Sequence, residues 1–180
     1  AAARLDPRAP LIRLNRALAL AEAERLMAAA AVIDGDPALR TLPAARRLRA
    51  RISLDAGDAA GAVRRYEALL ADVPDPQAAA NLVFAVREVD GAAAALARGR
   101  AWMDAHGEHP MVLLSSSIVA ADAGEAAAAL AMVERAIELA PGDASLRPFR
   151  ERYRSLAAAP GGTPPGSPPA PAESPDSPGG

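Results

Sequence analysis

Two histidines beside two carboxylates are the side chains in this sequence best suited to ligate a metal. His106 and His109 lie three residues apart, next to Asp104 and Glu108. Gly107 separates the histidines, and because glycine ends helices it removes the frame that would align the two imidazoles. The chain has no cysteine, so thiolate ligands are also absent. We therefore expect a polar loop at this point, and no metal or other cofactor.

A run of three serines, 115–117, is a second candidate for chemistry, because a serine hydroxyl can act as a nucleophile. The surrounding pattern places these serines in the middle of a helix with no histidine close to them, which favours a packing role. The sequence also lacks a phosphate-binding glycine loop and an acid–base pair in a recognisable motif. These observations predict a protein that is not an enzyme.

Four arginines within six residues offer a different chemistry, the binding of an anion. They are Arg46, Arg47, Arg49 and Arg51. Arg47 and Arg51 lie one helical turn apart, so both guanidinium groups can reach the same carboxylate or phosphate. The alternative is an ordinary solvated helix face, and the sequence leaves both interpretations open.

Charge and hydropathy exclude two classes of partner. The 180 residues carry a formal net charge of −2, which argues against bulk electrostatic capture of nucleic acid. No apolar run approaches the roughly 18 residues that a membrane-spanning helix needs.

Residues 1–9 lack an initiator Met and resemble the end of a repeat helix at Leu5-Asp6-Pro7. We therefore interpret the chain as part of a longer protein, and expect a cytoplasmic location, with a periplasmic one open.

An internal repeat organises most of the chain. Four prolines recur at nearly equal intervals, and when each is counted as position 1, position 20 is alanine every time. Position 15 is a glycine or an acidic residue. The prolines are Pro10, Pro43, Pro76 and Pro110, the alanines are Ala29, Ala62, Ala95 and Ala129, and position 15 holds Glu24, Gly57, Asp90 and Gly124.

The last repeat shows most clearly why each unit is a pair of helices. Gly124 ends one helix, because glycine adopts the left-handed cap conformation without steric cost. Leu130, Val133 and Ile137 are spaced by three and four residues and form one apolar stripe on the next helix. Pro141 ends that helix. The alanines around the stripe predict close helix–helix approach.

These features resemble the tetratricopeptide repeat, whose unit of roughly 34 residues has a glycine between its helices, small residues at packing positions and a closing proline. The best matches are Gly57-Asp58, Ala62, Tyr66 and Pro74 in one unit, and Gly124-Glu125, Ala129, Ala136 and Pro141 in another. The resemblance covers roughly residues 1–158. It implies an all-α solenoid of antiparallel helix pairs, stacked as a right-handed superhelix with a concave groove.

The chain departs from the family pattern in three ways. Gly91 comes one residue late, which predicts a one-residue shift in the third unit. Gly107-Glu108 replaces that unit's closing proline, and Pro37 breaks what should be the second helix of the first unit. No unit has the family's tryptophan near its start.

The predicted organisation is therefore a repeat array followed by a tail. Leu146, Phe149, Tyr153 and Leu156 share one face of a capping helix, and residues 160–180 hold eight prolines and no large apolar residue, which is typical of disorder. The divisions are residues 1–9 as the end of an upstream repeat, units 10–42, 43–75, 76–109 and 110–143, a capping helix 144–158, and a disordered tail 159–180.

The resemblance also implies where a partner binds. In that family the groove is lined by positions 2, 5, 9, 12 and 13 of each first helix. Arg47 and Arg51 would hold an acidic group, while apolar side chains of later units would take apolar ones. The predicted groove residues are Arg47, Arg51, Asn81, Phe84, Arg87, Met111, Leu114 and Ile118.

One partner of that family is not predicted. Its chaperone-binding members use a carboxylate clamp across three repeats. Arg47, Arg51 and Asn81 occupy the first three clamp positions, but Met111 and Ser115 occupy the basic positions of the third repeat. The clamp is incomplete, so binding of a chaperone tail is not supported.

The sequence thus predicts a non-catalytic scaffold that binds a protein or peptide, an acidic peptide being one option. The alternative is a structural or regulatory appendage of a larger enzyme, or of a polysaccharide-export or surface-anchoring system. Bacterial repeat proteins of such systems have stretches that resemble Asn81-Leu82 and residues 102–106.

Overall fold

The computed structural model describes residues 9–159, and every regular element in that range is helical. The predicted all-α fold class is confirmed. The predicted end of an upstream helix, residues 1–9, and the predicted tail, residues 159–180, lie outside the described residues except for Ala9, which begins the first helix, and Ala159. The helices are α1 (Ala9–Glu22), α2 (Leu26–Asp34), α3 (Pro37–Thr41), α4 (Pro43–Asp55), α5 (Ala59–Asp72), α6 (Pro76–His106), α7 (Pro110–Asp122), α8 (Ala126–Leu139) and α9 (Arg147–Ala158), with a 3-10 turn at Ala144–Leu146 before α9.

The helices stack in chain order as an α-solenoid. Along the chain, α1 packs on α2, α4 on α5, α5 on α6, α6 on α7, α7 on α8, and α8 on α9. Each helix pair therefore contacts its neighbours in sequence, as expected for repeats that share one continuous core. The division into four units stays a prediction.

The long helix α6 consists of two arms, 76–90 and 92–106, because Gly91 between them has φ +83° and ψ 176°. Gly57 and Gly124 have similar positive φ values, +82° and +84°. Only glycine reaches this region without steric cost. The interval from Gly57 to Gly91 is one position longer than that from Pro43 to Pro76, which accounts for the shift expected in this unit.

Alanine sets the distance between paired helices. The four position-20 alanines are all fully buried, with 0% exposure. Gly99 allows a still closer approach, since a methyl group added there would lie 2.7 Å from Ser116 Oγ on α7. Small side chains at these contacts let neighbouring backbones pack tightly. The alanines are Ala29, Ala62, Ala95 and Ala129.

The first unit is broken where the sequence predicts. Helix α2 ends at Asp34, and α3 starts at Pro37 after Asp36, whose side chain accepts a hydrogen bond from the Ala38 N–H at 3.0 Å. Proline fits the first turn of a helix, where its missing N–H has no partner to lose. The turn between α1 and α2 places Glu24, not glycine, at positive φ, +57°.

The capping helix covers the end of the stack with most of its predicted face. Leu146 and Tyr153 are buried, and Phe149 is partly buried against α8. The prediction for Leu156 is wrong, because this side chain is 45% exposed. When Ala144, which follows the fourth unit, is counted as position 1, Leu156 occupies position 13, a groove position rather than a packing position.

Candidate functional site

Three connected hollows run across the first helices of successive units. The arginine hollow, about 350 Å³, lies between α1, α4 and α6, and the apolar hollow, about 150 Å³, lies between α6 and α7. The rim hollow, about 430 Å³, lies where α4 meets α5 and α6. Asn81 lines the first two hollows, and Phe84 lines the last two. The hollows are therefore adjacent, and we refer to them together as the groove.

All eight predicted groove residues line these hollows. Arg47, Arg51 and Asn81 line the arginine hollow, and Phe84 and Arg87 line the rim hollow. The apolar hollow is lined by Asn81, Phe84, Met111, Leu114 and Ile118, together with Gln77, Ala80 and Ser115.

The apolar hollow exposes hydrophobic side chains beside a pair of amides. Met111 is 37% exposed, and Phe84, Leu114 and Ile118 are half-buried. At its edge, Gln77 Nε2 donates to the Asn81 Oδ1 at 3.4 Å. A peptide lying there would meet apolar contacts on one side and hydrogen-bonding groups on the other, which is the usual composition of a peptide site.

Arg47 already has a partner within the chain. Its Nη1 bonds the Asp75 carboxylate, and the other oxygen of that carboxylate accepts from the Ala78 N–H at 3.0 Å, which caps α6. Arg47 therefore ties α4 to the start of α6. Arg51 is 67% exposed, and among residues 9–159 its ion pair is with Asp55 on its own helix, at 3.3 Å. Of the two arginines, Arg51 is the more accessible to a partner.

Arg87 joins two walls of the groove. It donates to Asp122 on α7 at 2.8 Å and to Glu88 at 2.6 Å, and its guanidinium carbon lies 5.9 Å from the centre of the Phe84 ring. This geometry is that of a cation–π contact. Arg87 thus fixes the Phe84 ring and the spacing of α6 and α7.

The remaining arginines of the run on α4 are also paired. Arg46 bonds the Asp72 carboxylate at 2.7 Å and the Ala68 carbonyl at 2.8 Å, both on α5, while Arg49 bonds Asp34 on α2 at 2.9 Å. Neither a free anion site nor a merely solvated face describes this run. Its main structural role is to link α4 to the helices around it.

The fold is shared with solved repeat proteins. A tetratricopeptide repeat protein from Parabacteroides merdae superposes with a TM-score of 0.61 and 15% identity, over 84% of this chain and 60% of that one. A thermophilic TPR protein of Thermus thermophilus gives 0.55 and 20%, over 82% and 98%. This chain has the tetratricopeptide-repeat fold. It spans less than two thirds of the Parabacteroides protein.

A third similar structure is YrrB, a TPR protein with an unusual peptide-binding site. It matches with a TM-score of 0.52 and 16% identity, over 81% of this chain and 76% of that one. No protein-family model and no curated protein sequence matches the chain. At these identities the likeness establishes the tetratricopeptide-repeat fold.

Two further groove residues escaped the sequence analysis. Leu14 and Leu18 of α1 line the arginine hollow, where Leu18 is 39% exposed. They are positions 5 and 9 counted from Pro10, so the tetratricopeptide position rule identifies them once it is applied to the first unit. Their presence extends the apolar character of the groove to its N-terminal end.

A buried tyrosine supports the groove floor from below. Tyr66 on α5 is fully buried, and this burial raises its pKa to about 12, although the nearby Asn81 side chain opposes the rise. Desolvation disfavours the charged tyrosinate, so the hydroxyl stays neutral at any physiological pH. Tyr66 therefore acts as a core residue of this tetratricopeptide-repeat array.

The histidines and serines singled out in the sequence have structural roles. His109 Nδ1 accepts from the Met111 N–H at 3.3 Å and caps α7, and the His106 ring lies 5.0 Å from that of Trp102. Ser115 and Ser117 donate to carbonyls one turn earlier in α7. Within residues 9–159, no group of three or more side chains is arranged to hold a metal ion.

No helix within the described range has the length and hydropathy to cross a membrane.

Proposed function

We propose that the chain is a non-catalytic scaffold for protein–protein interaction, and that its groove binds a peptide segment of a partner protein. The observation that carries this proposal is the apolar hollow around Met111. A cluster of partly exposed apolar side chains on a concave surface loses free energy to water unless something covers it. The tetratricopeptide-repeat fold and the peptide-binding site of YrrB support the same conclusion.

The contacts also suggest which side chains of a partner fit. Phe84, Leu114 and Ile118 would accept an apolar anchor, and the Gln77 and Asn81 amides would hydrogen-bond its backbone. Such anchors carry most of the binding energy at peptide interfaces. The apolar hollow has a volume of about 150 Å³, which suits one or two side chains of a partner rather than a folded domain.

The proposal also includes an acidic group on the bound peptide, and Arg51 is the groove residue best placed to pair with it. Arg47 and Arg87 are tied to Asp75 and Asp122, and withdrawing them would leave those carboxylates unpaired. Binding of a partner by Arg51 would break an exposed ion pair with Asp55, and such pairs contribute little stability. We therefore place a partner's carboxylate next to Arg51, at the arginine-hollow end of the groove.

The test is selection of binders from a random peptide library, followed by affinity measurement on variants. Met111→Glu places a charge in the apolar hollow and should weaken the selected peptides at least about tenfold. Leu139→Glu is the matched control, since Leu139 on α8 is 39% exposed but does not line the groove. Failure to select any binder, or equal losses in the two variants, would overturn the proposal.

The acidic preference is tested separately with Arg51→Glu. If the selected peptides carry a carboxylate that meets Arg51, this variant should weaken them by several-fold, and more at low salt than at high salt. Unchanged affinity would remove the acidic feature and leave the apolar one intact.

A further inference from the structure

Another hollow lies between α2, α3, α4 and α5, and it shares no lining residue with the three hollows of the groove. Its volume is about 150 Å³. Arginines from three different helices line it, together with the Asp34 carboxylate at the end of α2. We call it the four-arginine hollow, and its arginines are Arg40 on α3, Arg46 and Arg49 on α4, and Arg65 on α5.

Helix geometry explains why the four cations meet. Arg46 and Arg49 are three residues apart and lie on the same face of α4, and Arg65 and Ala68 have the same relation on α5. The two faces meet where Arg46 Nη2 donates to the Ala68 carbonyl at 2.8 Å. Arg40 comes from α3, the short helix that follows the break in the first unit. That break therefore adds a charge to this hollow.

The two arginines of α4 are held in place without using all of their donors. A guanidinium group has five N–H donors. Among residues 9–159, Arg46 uses one N–H on each Nη for bonds to α5, and Arg49 uses Nε and one N–H on Nη1 for bonds to Asp34 and Ser53. The two side chains are only 24% and 21% exposed. An incoming anion would therefore meet donors whose positions are already fixed.

The carboxylates nearby do not balance these charges. Arg46, Arg49 and Arg65 each pair with one aspartate, whereas Arg40 forms no ion pair with any residue of 9–159. The three aspartate side chains are more than half exposed, so water competes for them. Like charges in one hollow repel one another, and an anion among them relieves that repulsion. The hollow is a locally positive site in a chain whose net charge is −2.

We propose that the four-arginine hollow binds a phosphoryl group. Such a group carries a charge of about −1.5 to −2 at pH 7 and presents three acceptor oxygens, so it can bond several guanidinium groups at once. A carboxylate brings one charge and two oxygens, and would leave more of the donors unpaired. The volume of about 150 Å³ suits a group of this size rather than a folded element. This site is independent of the proposed peptide groove.

Calorimetric titration of the full chain with pyrophosphate at constant ionic strength tests the proposal. Arg40→Gln and Arg65→Gln each remove one charge from the hollow and should weaken binding about tenfold, because a hydrogen bond between charged groups is lost. Arg64→Gln is the matched control, since Arg64 is an exposed neighbour on α5 that does not line the hollow. This variant should keep the affinity of the unaltered chain, and equal losses in all three variants would overturn the proposal.

A second measurement locates the anion without altering the chain. In a chain with isotope-labelled arginine, pyrophosphate should move the side-chain Nε–H NMR signals of the four lining arginines along one saturation curve, and leave that of Arg64 in place. Acetate at the same ionic strength is the control and should cause no comparable shift. Small and uniform shifts of all arginines would indicate general screening by salt and contradict a site.

Two probes distinguish where the phosphoryl group comes from. Pyrophosphate represents a small free anion, and a short peptide with one phosphoserine represents a phosphorylated protein. Tighter binding of pyrophosphate would assign the hollow to a small phosphate-bearing molecule, and tighter binding of the peptide would assign it to a phosphorylated partner. If neither probe binds more tightly than acetate, the proposal is wrong.

Discussion

The helix pairs α4–α5 and α1–α2 have the same outline but close their turns with different chemistry. Between α4 and α5, Gly57 adopts φ +82°, and the Asp58 side chain caps α5 by accepting from the Gly61 N–H at 2.8 Å. Between α1 and α2, Glu24 adopts φ +57°, and Arg25 at the start of α2 offers no side-chain cap. The two turns therefore follow a similar backbone path, although the turn between α1 and α2 lacks the glycine and the capping side chain that favour it.

What the two pairs share is the alanine contact. Ala29 and Ala62 are both fully buried, and the residues that follow four positions later, Ile33 on α2 and Tyr66 on α5, are also buried although they differ in size. Close packing at one small residue therefore sets the geometry of the pair, and the turn and the flanking side chains adjust its stability. The predictions below separate these two contributions.

The largest effect is expected at the alanine contacts. Ala129→Leu should lower the free energy of unfolding by about 1–3 kcal/mol, because the fully buried site between α7 and α8 has no room for three more carbons. Ala29→Leu and Ala62→Leu should behave alike. Denaturant unfolding measures the change, and Ala131→Leu at an exposed position of α8 is the control. An unchanged midpoint for Ala129→Leu would contradict the common contact.

The turns should respond with opposite signs. Gly57→Ala should cost about 1–2 kcal/mol, since an L-residue is strained at positive φ. Glu24→Gly should stabilise the chain by roughly 0.5–1 kcal/mol for the same reason. Gly142→Ala, at a glycine without positive φ and with open space around it, serves as the control. Thermal unfolding of the three variants provides the test, and the same sign for Gly57→Ala and Glu24→Gly would break the comparison.

Two carboxylates paired with neighbouring arginines of α4 should differ in importance. Asp75 both bonds Arg47 and caps α6, so Asp75→Ala should cost about 1 kcal/mol or somewhat more. Asp72 meets Arg46 on the surface only, and Asp72→Ala should cost less than about 0.5 kcal/mol. Denaturant unfolding at low and high salt distinguishes them. Equal losses would show that the cap adds nothing.

The smallest effect at neutral pH is expected at Tyr66. Its folded pKa, about 12, exceeds that of an exposed tyrosine, so its stabilisation is fully present below pH 10 and is lost as the pH rises towards 12. Tyr66→Phe should reduce this alkaline loss of stability. Ultraviolet titration of tyrosinate should show that Tyr66 ionises at a higher pH than free tyrosine. Normal ionisation of both tyrosines in the folded chain would contradict the burial.

The local features of the fold were predictable from the sequence, and the pairing of distant side chains was not. Prolines, glycines and the alanine at position 20 fix helix ends and contacts through short-range sterics, so Gly91 and Ala129 could be interpreted directly. The bond from Arg47 to Asp75 joins residues 28 positions apart, and no periodicity encodes it. Local rules also fail at Glu24. This residue is unsuited to positive φ, yet it adopts that conformation because the packing of both flanking helices requires it.

The sequence predicted which residues line the candidate groove, but not which of its charged side chains are already paired within the chain. Counting positions from each proline places Phe84, Met111 and Ile118 on one surface, and the same count from Pro10 finds Leu18. Which arginines remain accessible depends on how adjacent helices pack, and this was visible only in three dimensions.

One measurement tests the role of the groove most directly. A library-selected peptide is titrated into the chain with methyl-labelled methionine, leucine and isoleucine, and chemical shifts are followed by NMR. Binding as proposed predicts saturable shifts concentrated at the methyls of Met111, Leu114 and Ile118. Shifts confined to Leu139 or Met27, or none in the groove at saturation, would contradict it.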